Sequence, residues 1–148
     1  MPLPRAEPGL VVRYDYLWSR RAQHAADSAD KARPACLLFA VVAQDGMTEV
    51  LILPITHAPP TADDIGVEIP RRVKQALGLD DAPSWIIVTD GNRDVWPSPD
   101  LQQVPGAAGR FHYGILPRPL FRQVRDAFAA AFRSRRVSLI DRDGDPNV

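Results

Sequence analysis

Cysteine is nearly absent from this sequence. Cys36 is the single one among 148 residues, so no internal disulfide can form. It sits in the apolar run Ala35-Cys36-Leu37-Leu38-Phe39 and reads as a buried core thiol. Histidine is almost as scarce, and one cysteine with three histidines offers no zinc-ligand spacing. There is no glycine-rich phosphate loop and no paired-histidine motif. The sequence therefore gives no sign of a metal or a cofactor. No apolar run approaches the roughly 20 residues that cross a bilayer. Met1-Pro2-Leu3-Pro4-Arg5 lacks the apolar stretch of a secretion signal, so the cytoplasm is the expected location. Neither sign of charge dominates: 18 Lys and Arg face 18 Asp and Glu. A neutral chain is no wholesale polyanion binder, and any nucleic-acid site has to be a local basic patch.

Proline, by contrast, is abundant. Fifteen are present, about twice the usual share, and most sit at segment edges, where a missing backbone donor does no harm. Short segments punctuated by proline predict a compact, mainly β domain. The spacing predicts strands over 9–18, 35–43, 48–53, 66–69 and 84–89, and a strand piece within 94–99. Gln44-Asp45-Gly46 is a hairpin turn signal, and Asp90-Gly91-Asn92 reads as a further turn. Pro70 and Gly78 frame a short helix over 71–77. Phe121, Val124, Phe128 and Phe132 recur at three and four residues, the apolar stripe of a helix over 118–135. The polar stretch 19–32 reads as a long loop, the kind that usually carries function. The organisation expected is a tail over 1–8, one domain over 9–136 and a flexible tail over 137–148.

Two features could carry chemistry. Asp63-Asp64 and Asp80-Asp81 are adjacent carboxylates whose side chains point apart, and they read as solvated loop charges. Arg33 and Thr56 are more informative. A hairpin turning near Asp45 sets residues 11 or 12 positions away on either side opposite each other. Arg33 and Thr56 then meet at one end of the ladder, with His57 beside them. A guanidinium fork next to a hydroxyl suits a phosphate or the extra charge of a phosphorane-like transition state. His57 is either a proton shuttle near neutral pH or a solvent-facing residue.

The order of motifs resembles the PemK/MazF family of toxin endoribonucleases. Val11-Val12-Arg13-Tyr14-Asp15 is similar to that family's first strand, and Lys31-Ala32-Arg33-Pro34 to its Arg-Pro motif. Leu53-Pro54-Ile55-Thr56-His57 resembles its Pro-x-Thr segment. Val67-Glu68-Ile69 and Trp85-Ile86-Ile87-Val88-Thr89-Asp90 resemble the next two strands, and Tyr113-Gly114-Ile115-Leu116 the approach to the last helix. The likeness runs over about residues 9–132. It implies an SH3-like barrel of five to seven strands with a short internal and a C-terminal helix, a homodimer, an antitoxin protein as partner, and metal-independent cleavage of single-stranded RNA. It places Arg33 at the catalytic arginine and Thr56 at the phosphate-contacting threonine; by charge alone, Arg13, Arg20, Arg21, Lys31 and Arg33 are candidates for a local RNA-binding funnel. The stretch 20–31 departs from the family pattern by being long, alanine-rich and free of glycine. Two alternatives stand beside this reading: a barrel of the same kind that binds RNA or protein without cleaving, and an unrelated small β-domain.

Overall fold

The computed structural model describes residues 3–19 and 32–142. Eight strands and two helices follow in the order β1 (Leu10–Asp15), β2 (Ala32–Val42), β3 (Thr48–Thr56), β4 (Gly66–Glu68), α1 (Arg71–Leu77), β5 (Trp85–Ile87), β6 (Asp90–Trp96), β7 (His112–Ile115), α2 (Arg118–Arg133) and β8 (Ser138–Asp141). The fold is mainly β, an eight-stranded sheet curled into a half-barrel with one short helix and one C-terminal helix. The sheet runs β4-β5-β3-β2-β1-β7, and β6 joins it by pairing with β3. All pairings are antiparallel except that of β6 with β8.

Alternation along the central strands fills two cores, one on each face of the sheet. Val11, Cys36, Leu51 and Leu53 point into the larger one, where α1 contributes Leu77 and α2 contributes Leu120, Val124 and Ala131. Leu10, Val12, Tyr14, Ala35, Leu37, Val50 and Ile52 point into the smaller one, closed by Tyr16, Trp96 and Leu101. A strand covered on both faces has no polar phase, which is why the run around Cys36 is continuously apolar. Burial pushes the Cys36 thiol up to about 12, so it is an inert core group. Pro70 and the left-handed Gly78, at φ 74°, delimit α1. In α2 the buried stripe is Leu120, Val124 and Ala131. Phe132, expected on that stripe, is 58% exposed and stacks on Phe128 with centroids 5.8 Å apart.

Three expectations are corrected. Asp90-Gly91-Asn92 is no turn but the start of β6. The side chains of Asp90 and Asn92 are buried because other segments satisfy them. Tyr16 Oη and Ser19 N donate to Asp90, while Leu17 N donates to Asn92 Oδ1 and Asn92 Nδ2 donates to Leu17 O. The tail predicted to start at 137 instead contains β8, paired in register from Asp90↔Ser138 to Arg93↔Asp141. Gly91 permits this: a Cβ there would meet Leu139 Cδ2 at 2.9 Å. Within the predicted N-terminal tail, Pro4 O accepts a hydrogen bond from Trp96 Nε1 at 3.0 Å, and Ala6 packs on the smaller core. The expected loop 19–32 lies, from 20 to 31, outside the described residues.

Arg142 follows β8 and reaches back across the sheet. Its guanidinium donates to Asp15 O at 2.9 Å, Asn92 Oδ1 at 3.0 Å and Asp100 Oδ2 at 3.0 Å, and lies 5.6 Å over the Tyr14 ring. Arg93 and Asp141 pair nearby at 2.6 Å, but both are more than half exposed. Arg142→Ala is therefore expected to lower unfolding free energy by about 2 kcal/mol, because partly buried acceptors lose their donor. Arg93→Ala is expected to cost less than about 1 kcal/mol. Urea denaturation of the two variants checks this; equal losses would mean that Arg142 acts as no more than a surface contact.

Candidate functional site

The ends of β1, β2 and β3 come together at one edge of the sheet. Arg13 pairs with Pro34 and Tyr14 with Arg33. β2 pairs with β3 as far as Ala35↔Pro54, and beyond that pair β3 takes β5 as partner through Ile55↔Ile86 and Thr56↔Trp85. These strand ends open onto a cleft of about 550 Å³. Arg13, Arg33 and Pro34 line it from β1 and β2, Thr56 and His57 from the end of β3, Lys74 and Asp80 from α1 and the turn after it, and Tyr113 from β7.

Each group is held by its neighbours. The Thr56 Oγ1 accepts a hydrogen bond from Ala58 N at 3.1 Å, which fixes the hydroxyl and leaves its proton to donate. Arg13 Nη1 donates to Tyr113 Oη at 3.4 Å. The Tyr113 hydroxyl proton is likewise left to donate. The Arg33 guanidinium lies 5.3 Å over the Trp18 indole, a cation–π arrangement that fixes a long side chain. Strand alternation puts the Arg33 side chain on the Tyr14 face of the sheet, whereas Arg13 shares the face of Val11 and Tyr113.

The far wall is an ion-pair relay. The Lys74 ammonium is 3% exposed and bonds Asp80 Oδ1 at 2.6 Å. It also donates to Ser84 Oγ at 2.7 Å and to the Ala82 carbonyl. Asp80 Oδ2 in turn sits 2.8 Å from His57 Nε2. Burial acts to raise the Asp80 carboxyl, but the Lys74 hydrogen bond, the His57 and Lys74 charges and the Ala82 N–H outweigh it and hold the group below the ordinary aspartate range. Lys74 and Asp80 cancel each other. Arg13 then leaves the described lining with a net positive charge, so the surroundings favour an anion.

The cleft thus brings together Arg13, Arg33, Thr56 and His57. Arg20, Arg21 and Lys31 lie outside the described residues. Asp80, read from sequence as a solvated loop charge, is bound on both oxygens, because the Gly78 cap turns the chain back over α1 toward His57. Lys74 was also missed, although it stands three residues from Leu77, a spacing that places both on one helix face. Tyr113 was singled out as part of a motif but not for its hydroxyl. Among the described residues there is no cluster of His, Cys, Asp and Glu that could hold a metal ion, and no helix is long and apolar enough to cross a membrane.

Comparison of the chain with family models, curated proteins and solved structures finds no match.

The lowered Asp80 carboxyl has a pH consequence. A carboxylate depressed in the folded state adds stability above its unfolded pKa and loses it as pH falls through the folded value. Asp80→Asn is expected to lower the thermal midpoint near neutral pH. The gap from the parent should close on acidification through the lowered value. Melting curves across the acid range check this; a gap that does not change with pH would remove Asp80 from the relay.

Proposed function

We propose that this chain is a metal-independent endoribonuclease of PemK/MazF type and that the cleft holds one phosphodiester of single-stranded RNA. The observation that carries the reading is that Arg13, Arg33 and the Thr56 and Tyr113 hydroxyls line one cleft whose one carboxylate among the described residues, Asp80, is already neutralised by Lys74. Two arginines, two hydroxyl donors and no uncompensated carboxylate among the described residues suit a phosphate diester and its more charged transition state.

RNA supplies its own nucleophile, the 2′-hydroxyl. In the proposed reaction the 2′-oxygen forms a bond to phosphorus and the bond from phosphorus to the 5′-oxygen breaks. This leaves a 2′,3′-cyclic phosphate and a free 5′-hydroxyl. Arg33 stays charged at any working pH and stabilises the non-bridging oxygens, with Thr56 donating beside it. With His57 Nε2 turned to Asp80 at 2.8 Å, Nδ1 is the nitrogen left to take the 2′ proton and return it to the 5′-oxygen. The same reading carries a homodimer and an antitoxin that covers the cleft. The hairpin tip, where Phe39, Val41, Val42 and Met47 are exposed, is a surface for such association.

A second reading has an observation of its own. The Arg33 guanidinium is already held against Trp18, an arrangement a purely structural arginine also makes, so the cleft would bind RNA or protein without turnover. Cleavage separates the two readings. In excess chelator the purified chain should cut single-stranded RNA, and Arg33→Ala should lower kcat/KM by about 100-fold or more with an unchanged circular dichroism spectrum. Expression should arrest growth, and Arg33→Ala should relieve the arrest. Binding without cleavage would leave the second reading; cleavage undiminished in both Arg33→Ala and Thr56→Ala would remove these residues from the chemistry.

A further inference from the structure

The neutral net charge hides a strong local imbalance. Between Arg118 and Arg136 stand six arginines and one acid, Asp126. On α2, Arg118, Arg122, Arg125 and Arg133 follow one another at four, three and eight residues. With 3.6 residues per turn they fall, together with Phe132, within a stripe of about 100°. The stripe faces away from Leu120, Val124 and Ala131, the residues α2 buries. All four arginines are exposed. Arg125 pairs with Asp126 at 3.3 Å, both well exposed. Among the described residues the side chains of Arg118, Arg122 and Arg133 make no hydrogen bond or ion pair.

This arrangement does not serve the helix itself. The first turn has no acidic residue, although that is where the macrodipole favours one. Arginines four and three apart repel each other. An external anion removes both penalties. We infer that this face of α2 binds the phosphodiester backbone of single-stranded RNA that extends beyond the cleft, with Phe132 as a stacking surface for a base. The inference rests on the RNA reading of the cleft.

The placement fits. Tyr113, in the cleft, precedes Arg118 by five residues, at most about 17 Å of extended chain. The stripe from Arg118 to Arg133 then covers about 22 Å of helix. Every cation on it is arginine, whose planar fork matches phosphate oxygens. An exposed aromatic ring among arginines is the pairing that holds unpaired strands.

The test uses 2′-O-methyl oligouridylates, which cannot be cut, of four and fourteen nucleotides, with binding followed by fluorescence anisotropy over a series of salt concentrations. The longer strand should bind the parent chain at least tenfold more tightly than the shorter one. A variant carrying Arg118→Gln, Arg122→Gln, Arg125→Gln and Arg133→Gln should lose that gain and keep its affinity for the tetramer. Its slope of log affinity against log salt should fall by about two to three, from about 0.7 per phosphate contact. Glutamine keeps helix propensity, and an unchanged circular dichroism spectrum checks the fold. If the tetramer binds but the length gain is absent, or survives in the variant, the α2 surface is overturned while the cleft stands. If the tetramer fails to bind and the four arginines still govern the longer strand, the cleft reading fails and the α2 surface stands. A polyglutamate peptide of equal charge that binds this face more tightly than the RNA would reassign it to an acidic protein and overturn the inference.

Discussion

The antiparallel ladder between β2 and β3 is the constraint from which both the cores and the cleft follow. It is the longest pairing in the sheet, running from Ala35↔Pro54 to Val42↔Thr48. Its middle residues are buried on both faces, so register is strongly specified: a slip of one residue would exchange the contents of the two cores. A register shift between Leu37 and Phe39 confines the irregularity to the hairpin end, where Phe39, Val41 and Val42 emerge into solvent. At the other end the pairing runs regularly to Ala35↔Pro54, where β3 passes to β5. Arg33 and Thr56 therefore flank a common opening because the interior of the ladder is fixed.

A second constraint acts at right angles to the first. β6 is built from Asp90, Asn92 and Asp94, three polar residues buried to 2% exposure or less. Burying them is costly unless each oxygen finds a donor. Tyr14 and Ser98 donate to Asp94 at 2.7 and 2.6 Å, Tyr16 and Ser19 donate to Asp90, and Arg142 serves Asn92. Burial raises the Asp90 carboxyl despite the donors around it. The same burial raises the Tyr14 and Tyr16 hydroxyls above the ordinary phenol range, which keeps both as proton donors. The aromatic run of β1 and the residues after it is thereby clamped to β6. Tyr16 continues edge-on into Trp18 at 5.3 Å, and Trp18 supports Arg33. The polar cluster thus reaches the candidate site through a chain of contacts, although it does not line the cleft.

How much of this was legible in the sequence depends on the range of the interactions involved. α1 was legible to its ends, because Pro70 and Gly78 act locally. The hairpin was legible because Gln44-Asp45-Gly46 sits between two apolar runs. Asp90-Gly91-Asn92 was not, since its local preference is a turn and only the distant phenols, Leu17 and Arg142 make a strand affordable there. β8 escaped for the same reason. Leu139 and Ile140 make an apolar pair too short to mark a strand alone, and the partner segment, Asp90 to Arg93, has the local signature of a turn. Lys74 and Asp80 show the limit for the site. A lysine on a short helix and an aspartate in a turn look like surface charges until α1 packs against the sheet and seals the ammonium under Asp80 and Ser84.

Net charge is a whole-chain quantity that leaves the distribution of charge open. Equal numbers of acids and bases argue against a polyanion partner only if both signs are mixed over the surface. Here they are segregated. Asp90 and Asp94 are buried with β6, Asp100 is engaged by Arg142, Asp80 by Lys74 and Asp64 by the Thr89 hydroxyl at 2.7 Å. An acid paired with a cation, as Asp80 and Asp100 are, contributes little to the field outside. Among the described residues Arg118, Arg122 and Arg133 of α2 have no acidic partner, Arg125 has the exposed Asp126, and Arg13 lines a cleft whose one carboxylate, Asp80, is engaged by Lys74. At the separations involved, beyond a Debye length of about 8 Å at physiological salt, the acids on one part of the surface do not cancel the arginines on another. A ligand approaching the cleft or α2 therefore meets a local positive field, and it is this distribution, rather than the zero sum, that decides which partners the protein can hold.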